Sequence, residues 1–458
     1  MRYDPCRIII YCLVKVKNCL FNPHDIRMTI NKKLLNVLLL GFGFMFVFTA
    51  FQTMGNIQKT ILDSYKNNED PNFNGDGYIS LALIYAIFSL FNWSAPSIIS
   101  STGPRIVMIY GSITYLFFIL TFLSPKTWLL YLASVIIGTG AALIWTGQGN
   151  YLTLNSTKDT ISRNSGIFWA LLQVSMFAGN LFVFFQFQGL TEIDKSTRNV
   201  TVIVLSVVAG VGVGIFLLLP KPQFEEGDIV EVQQSPRDAF IGAIKLFRTR
   251  KMLLLCFTFF YTGISLSFFS GVYSSCIGFT KQFGSQAKQL VGLSGIFIGL
   301  GEIIGGALFG ILGSRFSRWG RDPIVIAGFI FHVAAYFITF LNLPNNSPFG
   351  DTDDKAFITS SPALAILCSF LLGFGDACYN TQVFSILGSI YADISASAFA
   401  IFKFVQSVAT AASFFYASYV LLTIQLGILV FLAIVGTVTF VLVEYSVKQE
   451  QKDAQAIE

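Results

Sequence analysis

PKPQFEEGDIVEVQQSPRDAFIGAIKLFRTRK, residues 220–251, is the longest charged stretch inside the chain, and it divides an otherwise apolar sequence into two comparable parts. Its first part is acidic and reads as a flexible linker. Its second part sets Phe240, Ile244 and Phe247 among Lys245, Arg248 and Arg250. That pattern fits a basic amphipathic helix lying on an anionic membrane surface; it fits equally a solvated lead-in to the hydrophobic run that follows. Outward from it in both directions lie apolar stretches of about 20 residues, the length that spans a bilayer. Six precede it, at 34–55, 77–99, 106–124, 127–152, 165–188 and 200–219. Six follow, at 252–276, 289–313, 323–342, 361–388, 394–419 and 422–444. Two of the turns are weakly marked, by Pro125 and Lys126 alone and by Thr423 to Gln425. The expected fold is therefore an all-α membrane protein of twelve transmembrane helices in two six-helix halves, 29–219 and 252–445, followed by a tail at 446–458.

Composition supports lipid as the solvent. Of 458 residues, 54% are apolar and 12% charged, where a soluble domain carries about 25% charge. The mean hydropathy is +0.66. Enzyme chemistry finds little to stand on. The two His are His24 and His332, and there is no P-loop, nucleophile elbow or metal-binding His pair. None of the seven Cys forms a C-x-x-C pair. No metal, cofactor or nucleic-acid partner is expected. Cys276 and Cys368 fall near the outer ends of their helices, where a disulfide between them is conceivable.

Charge placement gives orientation. With the N-terminus in the cytosol, 21 of the 30 Lys and Arg fall on cytosolic segments and eight fall outside. Both termini are thus expected in the cytosol. Asn199-Val200-Thr201 is then an outward-facing N-glycosylation sequon in the loop before the sixth span. Residues 1–28 stand apart. Ile8 to Val16 is too short to span, and Met28 opens a more ordinary start, so the segment reads as a dispensable cytosolic extension.

The halves carry traces of a repeat. An offset of 235 aligns Gly138, Gly140 and Thr146 with Gly373, Gly375 and Thr381. Charge breaks the symmetry. Glu302, Asp376 and Lys403 fall well inside the eighth, tenth and eleventh spans, where Ala141 and Ala170 face the last two in the first half. An unpaired charge at the bilayer centre costs about 2.5–3.5 kcal/mol on insertion scales. An ion pair between Asp376 and Lys403, with Glu302 nearby, is expected; it serves either as a proton- or ion-coupled gate or as a structural clamp. The runs Gly299-Leu-Gly301 and Gly212-Val-Gly214 sit inside spans and read as close helix packing.

Several strings are specific: FMFVFTAFQTMGN (44–56), GQGNYLTLNS (147–156), RNSGIFWALLQ (163–173), FFSGVYSSCIGFT (268–280), GLSGIFIGLGEIIGG (292–306), LCSFLLGFGDACYNTQ (367–382) and FAIFKFVQS (399–407). In these the chain resembles the Unc-ninety-three family of the major facilitator superfamily, over about residues 29 to 445. The superfamily carries a Gly-x-x-x-Asp-Arg-x-Gly-Arg type turn between its second and third helices and again between its eighth and ninth. The later copy here begins at Gly310 and keeps Arg315 and Arg318, with Ser314 in place of Asp; the earlier keeps Gly103-Pro104-Arg105. The resemblance implies that helices 1, 4, 7 and 10 line a central cavity, which makes Gln52, Gln148 and Asn380 candidate solute contacts. It implies either a transporter of an unknown small solute or a non-transporting regulator or chaperone of a partner ion channel or membrane receptor.

Overall fold

The computed structural model describes residues 32–156, 161–190, 192–221, 236–316, 320–391 and 395–457. The N-terminal extension and the acidic part of the linker lie outside the described residues. Helix α1 (Lys32–Asn68) has 37 residues, about 55 Å at 1.5 Å per residue. The hydrocarbon core is only about 30 Å thick, so the last turns of α1, with Lys59, Asp63 and Lys66, reach past it.

Helix α2 (Gly77–Phe91) starts at Asp76, whose carboxylate accepts from the backbone N–H groups of Tyr78 and Ile79. The sequence predicted one unbroken span from 77 to 99. Instead the chain turns at Asn92–Ser94 and resumes as α3 (Ala95–Thr102). Pro96 in the first turn of α3 has no N–H to continue the helix, and Asn92 Oδ1 accepts from Thr146 Oγ1 at 3.2 Å. Gly103, at φ +85°, then makes the corner into α4 (Pro104–Leu120).

Helices α5 (Thr127–Leu154), α6 (Ile161–Gln186) and α7 (Lys195–Leu218) complete the first half. Helix α7 starts earlier than the hydropathy suggested, because Asp194 accepts from Thr197 N–H at 2.9 Å and caps it. Asn199 therefore lies in the first turns of a helix and not in a loop.

The basic segment forms α8 (Pro236–Phe247). The second half runs through α9 (Arg250–Ser267), a π turn at Phe268–Val272, α10 (Tyr273–Phe279), α11 (Ala287–Phe316), α12 (Asp322–Asn342), α13 (Pro362–Ile390), α14 (Ser395–Ala417) and α15 (Leu422–Ile457). Among the described residues, eleven helical segments are long and apolar enough to cross a bilayer, and the shorter α2 completes two sets of six.

Within the first half α1 packs on α6 and α7, and α5 on α2 and α4; within the second α13 packs on α11 and α12, and α9 on α14 and α15. The halves meet along α6–α11 and α2–α14. The glycines explain how closely the helices approach. A Cβ on Gly373 would stand 2.0 Å from the Ile298 carbonyl oxygen, and one on Gly301 2.4 Å from that of Phe370. Gly212 is likewise closed in by Val47, but Gly214 faces open space, so the packing predicted for that pair holds only at Gly212. Cys276 and Cys368 are buried and free, so the conceivable disulfide is not formed.

Candidate functional site

The three charges inside the spans reach the midst of the fold from α11, α13 and α14. Asp376 is nearly buried, and its Oδ2 accepts from Asn380 Nδ2 at 2.8 Å, one turn along α13. Lys403 donates to Gln406 Oε1 at 2.9 Å on α14, and Gln406 in turn donates to Thr262 Oγ1 of α9 at 3.2 Å. The Lys403 ammonium also lies 4.7 Å from the Phe402 ring centroid and 5.8 Å from that of Phe384. The direct ion pair expected between Asp376 and Lys403 is absent among the described contacts. Each side chain is satisfied first by an amide on its own helix, and the two act on each other only through space.

Glu302 is tied across the molecule. Its Oε2 accepts from Gln173 Nε2 of α6 at 3.3 Å, so the bond joins the two halves. Asp376 lies within electrostatic reach of Glu302. The three charges are thus brought into one electrostatic neighbourhood, with a neutral amide from the first half at its edge. An aromatic row leads to the same place: Trp145 stacks on Trp169 at 6.1 Å, Trp169 meets Phe384 of the second half at 6.2 Å, and Phe384 meets Phe402 at 5.8 Å.

The other predicted residues fall as follows. Asn380 is partly buried and committed to Asp376. Gln52 Oε1 accepts from Ser175 Oγ at 2.6 Å, which ties α1 to α6. Gln148 is buried on α5. Gly310 and Arg315 lie in the last turns of α11, and Arg318 lies outside the described residues.

Two groupings escaped the reading of the sequence. The first lies just after the later signature turn. Arg321 donates to Glu444 Oε2 of α15 at 2.8 Å and to the hydroxyls of Ser385 and Ser389, while Lys448 pairs with Asp322. Arg321 thus finds its acid on another helix, at a separation of 123 residues that no local pattern reveals.

The second sits at the opposite end. Lys59 is 7% exposed and pairs with Asp63 at 3.1 Å and Asp76 at 2.8 Å. Asp76 also accepts from Ser418 Oγ of the second half at 2.8 Å. Lys288, 1% exposed, holds Asp351 at 2.8 Å and the Gly278 carbonyl at 2.7 Å, and is within electrostatic reach of Asp63. The i, i+4 spacing of Lys59 and Asp63 was the one local clue. Burial pushes the Asp76 carboxyl up, but the Lys59 ammonium and the bonds from Ile79 N–H and Ser418 outweigh it and hold the group below the usual carboxylate range.

Comparison with known proteins agrees with this architecture. Residues 72–441 match the family model for "Ion channel regulatory protein UNC-93". The chain is 45% identical to the UNC93-like protein MFSD11 of Xenopus tropicalis over 441 residues, 92% of this chain and 98% of that protein. It is 27% identical to the protein unc-93 homolog A of Danio rerio, over 90% of this chain and 91% of that one. Among solved structures, a peptide transporter POT in complex with sulfate superposes with a TM-score of 0.63 at 13% identity, covering 90% of this chain and 94% of that one. The nucleoside transporter NupG superposes with a TM-score of 0.62 at 12% identity, covering 88% and 99%. At that identity the likeness concerns the fold alone.

Proposed function

The chain belongs to the UNC-93 family, and from that premise and the acids inside its spans we propose that it carries a small solute across the membrane, coupled to a proton or cation taken up at Glu302 and Asp376. The observation that supports this reading is the Gln173–Glu302 bond at 3.3 Å. A carboxylate among apolar helices costs least when it is neutralised or hydrated. Here the same carboxylate also ties one half to the other. Taking up a proton or a cation would change the very contact that rocking of the halves has to remake, which is what coupling requires. Asp376 supplies a second acid, and Lys403 sets the balance of charge around the pair. Gln52, Gln148 and Asn380 are the neutral polar groups proposed to face the solute. Both termini are placed in the cytosol on the Lys and Arg distribution, which leaves Asn199 on the outer side.

The second reading, regulation of an ion channel, rests on the description of the family model. The two readings separate in one experiment. Purified protein is reconstituted in proteoliposomes with an internal pH dye, under a pH gradient, and challenged with amino acids, peptides, nucleosides and organic cations. Transport predicts solute-dependent proton movement that Glu302→Gln and Asp376→Asn abolish while both variants stay folded. Absence of flux with every class, together with stoichiometric co-purification of a channel from native membranes, would establish the regulator instead.

A further inference from the structure

Helix α8 has two apolar sides. Leu246 is 5% exposed and belongs to the core, where the helix packs against α14. Ile241, Ile244 and Phe247 recur at every third position, and at 100° per residue they sweep the side away from Leu246. All three remain exposed. Beside them Lys245, Arg248 and Arg250 are exposed, and among the described residues none has an acidic partner. The level of the helix is fixed by the chain itself. Only Arg248 and Thr249 separate α8 from α9, Thr249 Oγ1 donates back to Leu246 O at 2.7 Å, and α9 enters the membrane from Arg250. A helix so close to the start of a span has to lie at the boundary between headgroups and acyl chains. Aqueous exposure of three large apolar side chains there is unfavourable, and burying them 5–10 Å into that boundary is what interfacial helices do. The basic groups on its flank then meet lipid phosphates and carboxylates.

We propose that α8 and the turn leading into α9 bind phospholipid: Ile241, Ile244 and Phe247 insert at the acyl boundary while Lys245, Arg248 and Arg250 bind anionic headgroups such as phosphatidylserine. Leu246 docks the helix on the bundle in advance, so lipid meets a preordered surface. Because α8 rests on α14, the helix that carries Lys403, lipid composition is communicated to the second half through a direct packing contact.

The test uses the full chain in nanodiscs of phosphatidylcholine alone or with phosphatidylserine. The photocrosslinker p-benzoylphenylalanine is placed at Ile244 or, as a control among the charged residues at the end of α15, at Lys452. Adducts are identified by mass spectrometry, and folding is checked by size-exclusion profile. The expected result is phospholipid adducts at 244 and few at 452, with phosphatidylserine enriched several-fold over its share of the bilayer. A Lys245→Glu, Arg248→Glu variant should keep the adducts and lose the enrichment. Lipid adducts no more frequent at 244 than at 452 would overturn insertion. Enrichment absent from the native sequence, or unchanged by charge reversal, would overturn headgroup recognition.

Discussion

Lys403 bonds Gln406 and not Asp376, and this changes what its substitution should do. A buried ion pair broken on one side leaves an uncompensated charge and costs about 3–5 kcal/mol. Here Lys403→Met removes a charge-assisted hydrogen bond and a ring contact, for which a loss of about 1.5–3 kcal/mol is the relevant scale. The expected outcome is a moderate fall in the thermal midpoint of the detergent-purified protein. The double variant Asp376→Lys, Lys403→Asp should be no more stable than its single parents, because neither new side chain inherits the amide partner one turn along its own helix. Recovery of the native midpoint by the swap would show that the pair forms directly. The charges themselves were plain in the sequence, since a Glu, an Asp and a Lys inside apolar runs have few innocent explanations. Their partners were not legible, because opposite charges inside neighbouring spans suggest a pair where each in fact bonds an amide on its own helix. The spacings that decide the matter, 376 with 380 and 403 with 406, are the ordinary i, i+4 and i, i+3 neighbours of a helix. Nothing local links Gln173 to an acid 129 residues away.

Helices α11 and α13 approach closely, and the approach depends on the absence of a side chain. Gly373→Ala would put a methyl group against the Ile298 carbonyl, a backbone atom that cannot swing aside. Overpacking of this kind costs about 1–3 kcal/mol, and the helices carrying Glu302 and Asp376 would be pushed apart. Gly210→Ala is the matched control, since its Cβ would meet nothing within 4 Å. Removing a helical glycine there is worth up to about 1 kcal/mol in favour of the helix. The prediction is a lowered thermal midpoint and impaired flux for Gly373→Ala, with Gly210→Ala equal to or above the parent. Hydropathy located the spans well because length and lipid exposure act on long averages. It missed the break at Asn92–Ser94, where one polar bond and one proline act locally. It also missed the early start of α7, where a single capping Asp outweighs the charged residues around it.

For the whole molecule, the charged network around Lys59 and Lys288 closes one end of the seam between the halves, the outer end in the proposed orientation. The Ser418–Asp76 bond crosses that seam, and Cys276, fully buried, lies close to Tyr78 of the other half. Rocking of the halves towards an outward-open state has to break the first and uncover the second. Ser418→Ala removes a hydrogen bond to a charged group, worth about 1.5–3 kcal/mol. Since each 1.4 kcal/mol is about a tenfold change in an equilibrium constant, modification of Cys276 by a membrane-impermeant maleimide should quicken by about tenfold or more, as read by peptide mass spectrometry. The pH dependence follows from the sign of the Asp76 shift. A carboxyl held below its usual range in the folded state contributes stability above its unfolded value, about 3.9, and loses it as pH falls through the folded value. The Cys276 rate, normalised to free cysteine at each pH, should therefore rise below about 4; between about pH 7 and 5 it should instead fall, because burial pushes the Asp63 carboxyl of the same network up to about 6 and its protonation favours the closed seam. A Cys276 rate that is insensitive to both Ser418→Ala and acid would mean that this network is a fixed brace and that the halves do not part at this end.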